Sequence, residues 1–274
     1  MKKDFLIAVD LDNTLVYEFD KYDKQSFNLL RELSKTNHVV IATGRPYRSS
    51  KYYYDLLGLD TPIINYNGAL VHHPINKTFE SSKITVDKNV IFKLIEDNKE
   101  IIHNVFCEVG DDIYLLRETK EVIPFLHAEG GSLTIGDLKE TLKEDPNGAI
   151  VMANNGTEEI LEKYIQDTYR GSINIRFWHV QEIAVAEIYS PLTSKGNALN
   201  LVRKYYNIPR EKIIAIGDGH NDIEMIEFAE YGVAMANAHP ELLKVAKYKT
   251  DTVYNNGVYK FLSDFFKINK EQEN

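Results

Sequence analysis

The stretch Phe5-Leu6-Ile7-Ala8-Val9-Asp10-Leu11-Asp12-Asn13-Thr14 decides how this chain is read. Five apolar residues run unbroken into two aspartates spaced two apart, followed by an asparagine and a hydroxyl. A short continuous apolar run predicts a strand buried on both faces, as in a parallel sheet covered by helices. Ligands of such sheets bind beyond the carboxyl ends of the strands, which is where Asp10 and Asp12 fall. Two carboxylates at one strand end repel each other unless a cation neutralises them. Oxygen-only donors suit Mg²⁺, which keeps several waters and usually partners a phosphate. Taken alone, the segment is equally compatible with an Asp- and Asn-containing turn that does no chemistry.

The same pattern recurs along the chain. His38-Val39-Val40-Ile41-Ala42-Thr43-Gly44-Arg45-Pro46 is a second apolar run, ending in a hydroxyl and a glycine. Lys212-Ile213-Ile214-Ala215-Ile216-Gly217-Asp218-Gly219-His220-Asn221-Asp222 is a third, ending in a Gly-Asp turn that opens a helix. Between them, Ser194-Lys195-Gly196 precedes a helical stretch over 197–206, with Ala198, Leu201, Val202 and Tyr205 at helical spacing. Lys195 therefore lies at the positive end of a helix. Three strand ends and one helix start supply Asp10, Asp12, Thr43, Lys195, Asp218 and Asn221. These are the types a phosphoryl-transfer site needs: nucleophile, proton shuttle, oxygen donors, fixed cation and metal ligand.

With these four motifs in this order, the chain resembles the haloacid dehalogenase-like phosphatases. It resembles most the Cof-type members, which carry a large cap inserted after the third core strand. Asn67-Gly68-Ala69, Thr193-Ser194-Lys195-Gly196 and Gly232-Val233-Ala234-Met235-Ala236-Asn237-Ala238 match further segments of that group. The resemblance covers about 4–82 and 188–265; between them only length and position match. Asn13 and Ala236 stand where the family more often has glycine, which puts loop detail rather than reacting groups in question.

The resemblance implies a role for each matched residue. Asp10 attacks phosphorus as the nucleophile, a known mode of carboxylate catalysis. Asp12 is the general acid/base, and its backbone carbonyl joins the metal. The amides of Leu11 and Gly44, with Thr43, Lys195 and Asn221, hold the phosphoryl oxygens. Asp10 and Asp218 bind Mg²⁺ directly, while Asp222 holds metal waters from farther out. Arg45 reaches the substrate or closes against the cap. The expected activity is hydrolysis of a small phosphorylated metabolite, a sugar phosphate or a phosphorylated cofactor, through an aspartyl-phosphate. The alternatives are a phosphotransferase or mutase using the same intermediate, and a non-catalytic module that binds a phosphate ligand.

Composition narrows the partners. Lys and Arg number 32 against 41 Asp and Glu, a formal charge of −9, which argues against nucleic acid. No apolar run approaches the ~20 residues that span a bilayer, so no membrane partner is expected, and nothing implies a protein partner. Cys107 is the one cysteine, which excludes an intrachain disulfide and suits a reducing cytoplasm.

Two regimes alternate along the chain. Residues up to about 82 read strand (5–10), helix (24–36), strand (39–43), helix (47–57), strand (62–65), then a short hairpin over 69–79 around Pro74-Ile75-Asn76-Lys77. From about Lys83 come a helix (90–101), two strands within 104–117, strands at 149–153 and 173–178 and a helix at 158–169, without strand-end Asp or Thr. The core pattern returns at Ile183 to Ile188 and at Lys195, and a last helix spans 258–266. The expected fold is α/β: a doubly wound, Rossmann-like parallel core from 1–82 and 188–274, with an inserted α+β cap at 83–187. The cap is expected to select the substrate, with Arg176, Trp178 and His179 as candidate readers.

Overall fold

Leu6–Val9 forms the strand that the apolar run predicts, with all four side chains buried. Successive strand residues point to opposite faces, so burial of Leu6 and Ile7 alike means that both faces are covered. This strand pairs in parallel with His38–Ile41 on one side and Ile213–Gly217 on the other. Tyr231–Ala234 and Tyr248–Lys249 extend the sheet, also in parallel. On one face, Leu6, Ala8 and Val40 pack with Leu199, Val202 and Met225, which come from helices Lys195–Tyr205 and Ile223–Phe228. The computed structural model describes residues 2–18, 21–178 and 182–268. His179 lies outside them.

The chain divides into two compact units. One comprises Met1–Arg45, Ser50–Ser82 and Ser194–Asn274, the other Pro46–Ser49 and Lys83–Thr193. In the first, Ile63–Asn65 pairs antiparallel with Leu70–His72, and the two-residue strand Ser82–Lys83, at which the chain leaves this unit, follows in the same small sheet. The tight turn joining the first two of these strands is thus at Tyr66–Gly68. The hairpin expected around Pro74 has its second arm at Ser82–Lys83, beyond the 79 at which the sequence reading ended it.

The second unit is a six-stranded mixed sheet in the order 133–135, 112–115, 102–109, 148–153, 184–189, 174–178. Helices Lys88–Asp97, Leu138–Thr141 and Glu158–Thr168 pack on one face, around Val105, Cys107, Val151 and Ile188. The return of the core pattern at Ile183 is corrected here. Ala184–Tyr189 is an interior strand of this second sheet, antiparallel to both neighbours. Its run Ala184-Val185-Ala186 is apolar on both faces because Ala184 packs in one core cluster and Val185 in another, which periodicity cannot distinguish from a parallel core strand. Cys107 is wholly buried on its strand, and burial pushes its thiol up, so it stays protonated at neutral pH.

Candidate active site

The strand ends bring the predicted carboxylates together around one ammonium. Lys195 Nζ donates to Asp10 Oδ1 at 2.7 Å and to Asp222 Oδ1 at 2.6 Å. Its side chain is fully buried, as is that of Asp222, and Asp10 nearly so. Lys195 opens its helix directly after the cap residue Ser194, whose hydroxyl accepts from Asn197 N. Two positive features thus meet the carboxylates, the ammonium and the helix N-terminus. Burial alone would lower the lysine's pKa, but Asp10 and Asp222 outweigh it and hold the group charged.

Asp222 is fixed on both oxygens. Oδ1 takes Lys195, and Oδ2 accepts the backbone N–H groups of Asp218 at 3.0 Å and Gly219 at 2.9 Å. Its carboxylate therefore organises the Gly-Asp-Gly turn more than it faces outward. A side chain at Gly217 would collide with that carboxylate, its Cβ falling 2.4 Å from Oδ2. Glycine is required there so that the acid can fold back beneath the strand end.

Asp10, Asp218 and Asp222 each offer an oxygen, all within 4.8 Å of one another, a group able to hold a metal ion among the described residues. Asp218 is held by Thr14 Oγ1 at 3.2 Å and by Asn237 Nδ2 at 3.2 Å. Burial, then the neighbouring Asp222, pushes its carboxyl up to about 7, against which the Thr14 bond and Lys195 pull. Asp10 is likewise raised well above the usual carboxylate range. Burial is the main cause, Lys195 opposes it, and Asp222, Asp218 and Asp12 add to it. An all-oxygen set carrying excess negative charge fits a hard divalent cation.

Asp12 is half-exposed and gripped by Arg45, whose Nε donates to Oδ2 at 2.9 Å and whose Nη2 donates to Oδ1. The guanidinium expected to face substrate or cap is thus engaged with the second aspartate. Thr43 is fully buried and its Oγ1 accepts from Arg45 N at 3.1 Å. Asn221 Nδ2 donates to Asn67 Oδ1 at 2.7 Å. That oxygen lies 3.1 Å from where a Cβ on Gly44 would stand, so Gly44, Asn67 and Asn221 pack as one group. The carbonyl of Leu11 accepts from the amides of Thr14, Leu15 and Val16, closing the loop after the strand Leu6–Val9.

Three residues with no assigned role in the sequence reading belong to this site: Thr14, Asn67 and Asn237. All three lie within motifs already quoted, and Asn67 carries a signal, since Asn-Gly marks a backbone of positive φ. It has φ 55°. Asn13 also has φ 55°, a conformation that asparagine tolerates well among non-glycine residues, so this departure from glycine leaves the loop intact.

A family model described as haloacid dehalogenase-like hydrolase matches residues 7–262. The chain belongs to the haloacid dehalogenase-like hydrolases. This hydrolase is 35% identical over 268 residues to the 5-amino-6-(5-phospho-D-ribitylamino)uracil phosphatase YitU of Bacillus subtilis, covering 97% of this chain and 99% of that one. It is 26% identical to the phosphatase YwpJ of the same organism, over 92% of this chain and 96% of the other. A haloacid dehalogenase-like hydrolase from Bacteroides thetaiotaomicron has the same fold, with a TM-score of 0.82 at 23% identity, covering 96% of this hydrolase and all of that chain. No helix among the described residues is long and apolar enough to cross a membrane.

Proposed function

We propose that this hydrolase is a Mg²⁺-dependent phosphomonoesterase that works through an aspartyl-phosphate. Its substrate class is a small phosphorylated polyol or sugar, and the likeness to YitU favours one that carries a pyrimidine. The observation that carries the reading is the buried Lys195 bridging Asp10 and Asp222, with Asp218 in the same cluster. Asp10 and Asp218 would hold the ion, which when bound neutralises the carboxylates and polarises a phosphoryl oxygen.

In this reading Lys195 fixes one oxygen of Asp10 and turns the carboxylate, so that the other oxygen can attack phosphorus. The attack forms an O–P bond as the ester O–P bond breaks. Asp12, half-exposed at the strand end, gives its proton to the departing alkoxide and then takes one from the water that cleaves the acyl phosphate. Arg45 sets the rotamer of Asp12 by its two-point grip. Thr43 and the amides of Leu11 and Gly44 bind phosphoryl oxygens, together with Lys195 and the Asn67-supported amide of Asn221. Asp222 keeps Lys195 in place and orders the turn that presents Asp218.

Asp12→Asn tests the division of labour. It is expected to slow turnover of alkyl phosphates by ~10²–10⁴-fold, the usual worth of acid/base help. The loss is expected to be much smaller for aryl phosphates, whose leaving groups need no proton. Equal losses for both ester types would remove Asp12 from the proton-transfer role.

A substrate panel tests the class. Comparing kcat/KM for 5-amino-6-(5-phospho-D-ribitylamino)uracil, hexose phosphates, pyridoxal phosphate and phosphopeptides is expected to rank the small esters far above the peptides. A preference for phosphopeptides would overturn the small-metabolite reading.

A further inference from the structure

The loop that follows strand Tyr231–Ala234 is bound by its backbone to the Gly217-Asp218 turn of the same unit. Met235 N donates to Gly217 O at 3.0 Å and His239 N to Asp218 O at 2.8 Å, while Ala238 N donates to Met235 O at 3.0 Å within the loop. These bonds anchor the loop whatever side chain stands at 237. Asn237 itself is exposed, and substitutions at exposed positions ordinarily change stability little. Its amide nevertheless reaches two strand ends at once. Nδ2 donates to Asp218 Oδ2 at 3.2 Å and to the carbonyl of Asn13 at 3.3 Å.

The effect of this reach falls on Asp218. Thr14 Oγ1 donates to its other oxygen, Oδ1, at 3.2 Å, so each carboxylate oxygen accepts one bond. A carboxylate has about four lone-pair sites, which leaves both oxygens with room for a cation. Asp218 shares its cluster with Asp10 and Asp222, and like charges this close push one another apart. Lys195 holds Asp10 and Asp222 directly. The two bonds to the Asp218 carboxylate come instead from neutral groups, Thr14 and Asn237. They fix its rotation without neutralising the charge that a cation needs. Asn13, with φ 55°, receives the second bond from Asn237, so the direction of the donor is set from the loop that carries Asp12. A ligand fixed before the ion arrives loses less freedom on binding it.

We infer that Asn237 is a positioning residue, which orients Asp218 for a divalent cation and so determines how tightly the ion is held. The inference rests on the metal role proposed above and adds a residue that does not touch the ion. The test titrates the whole metal-free protein with Mg²⁺ in a calorimeter and records Tm without metal. In Asn237→Ala the Kd for Mg²⁺ is expected to rise about 10- to 100-fold, the usual cost of losing the partner of a metal ligand. The metal-free Tm is expected to stay within about 2 °C of wild type. Asn237→Leu, similar in size but without an N–H, is expected to match Asn237→Ala. In both variants the Mg²⁺ concentration for half-maximal activity rises in step, while kcat at saturating Mg²⁺ is largely kept.

Unchanged Mg²⁺ affinity in both variants overturns the inference and leaves the metal role standing. Wild-type affinity in Asn237→Leu alone overturns it too, since bulk rather than the bonds would then be the cause. A large fall in metal-free Tm in both variants makes Asn237 a structural residue and overturns it as well. No Mg²⁺ binding by wild type overturns the metal role itself, and this inference with it.

Discussion

Asp10→Asn is expected to lower turnover by about 10⁴-fold or more while leaving the protein at least as stable as wild type. The loss follows from chemistry, since an amide oxygen is too weak a nucleophile to form the acyl phosphate. The retained stability follows from the charge count around Lys195. Its ammonium donates to both Asp10 and Asp222. Removing one partner of a buried pair is damaging when it leaves a charge uncompensated, but here Asp222 still neutralises the lysine. The amide oxygen of asparagine can still accept the 2.7 Å bond that Asp10 Oδ1 accepts now. Asp10 also carries a charge that burial and three other aspartates disfavour. Steady-state kinetics and a thermal melt on the same preparation check both halves. Turnover near wild type would require another nucleophile, and a large drop in Tm would make the aspartate a structural residue.

Metal removal should have an effect of similar size and a pH dependence of its own. After exhaustive chelation, activity is expected to fall to background and to return with Mg²⁺, because the clustered carboxylates would otherwise repel a dianionic phosphate. Asp218 sits at about 7 in the folded protein without metal, above its ordinary 3.8. Between these values the folded form holds a proton that the unfolded chain has already lost. Metal-free stability therefore declines as pH rises from about 4 to about 7, and the penalty is complete above that. A cation that binds the ionised carboxylates relieves it. The gain in Tm on adding Mg²⁺ is accordingly expected to be larger at pH 8 than at pH 5. An equal gain at both values would disconnect the ion from these carboxylates, and full activity after chelation would exclude the metal role altogether.

The catalytic core was legible because its signals are local. The run from Leu6 to Val9, the Thr43-Gly44 strand end and the Gly217-Asp218 turn each declare a strand and what stands at its tip. What sequence could not give is partnership across the chain. Nothing adjacent to Arg45 says that its guanidinium grips Asp12, 33 residues away. Nothing near Asn237 points to Asp218 or to the Asn13 carbonyl. The second unit was harder because its elements between 118 and 147 are short. Helices Ile123–Leu126 and Leu138–Thr141 have four residues each and strand Leu133–Ile135 three, so no period has room to show. Ala184–Tyr189 was legible as a strand, but not as a member of the second sheet, since pairing depends on neighbours rather than on the strand itself.

The central position of the strand Leu6–Val9 sets an order of events during synthesis. One edge of Leu6–Val9 is satisfied early, by His38–Ile41, but the other waits for Ile213–Gly217. At ~5–20 residues per second the ribosome needs roughly 10–40 s to cover that interval. Throughout it, a short apolar strand keeps an unpaired edge, the kind of surface on which nascent chains mispair. The six strands of the second unit, by contrast, all lie between 102 and 189 and can pair before the first sheet is complete. Asp10 meets Lys195, and Lys195 meets Asp222, only when the last third of the chain has emerged. A product that stops between Tyr189 and Lys195 would therefore carry every strand of the second unit and an Asp10 without the ammonium that it meets in the whole chain.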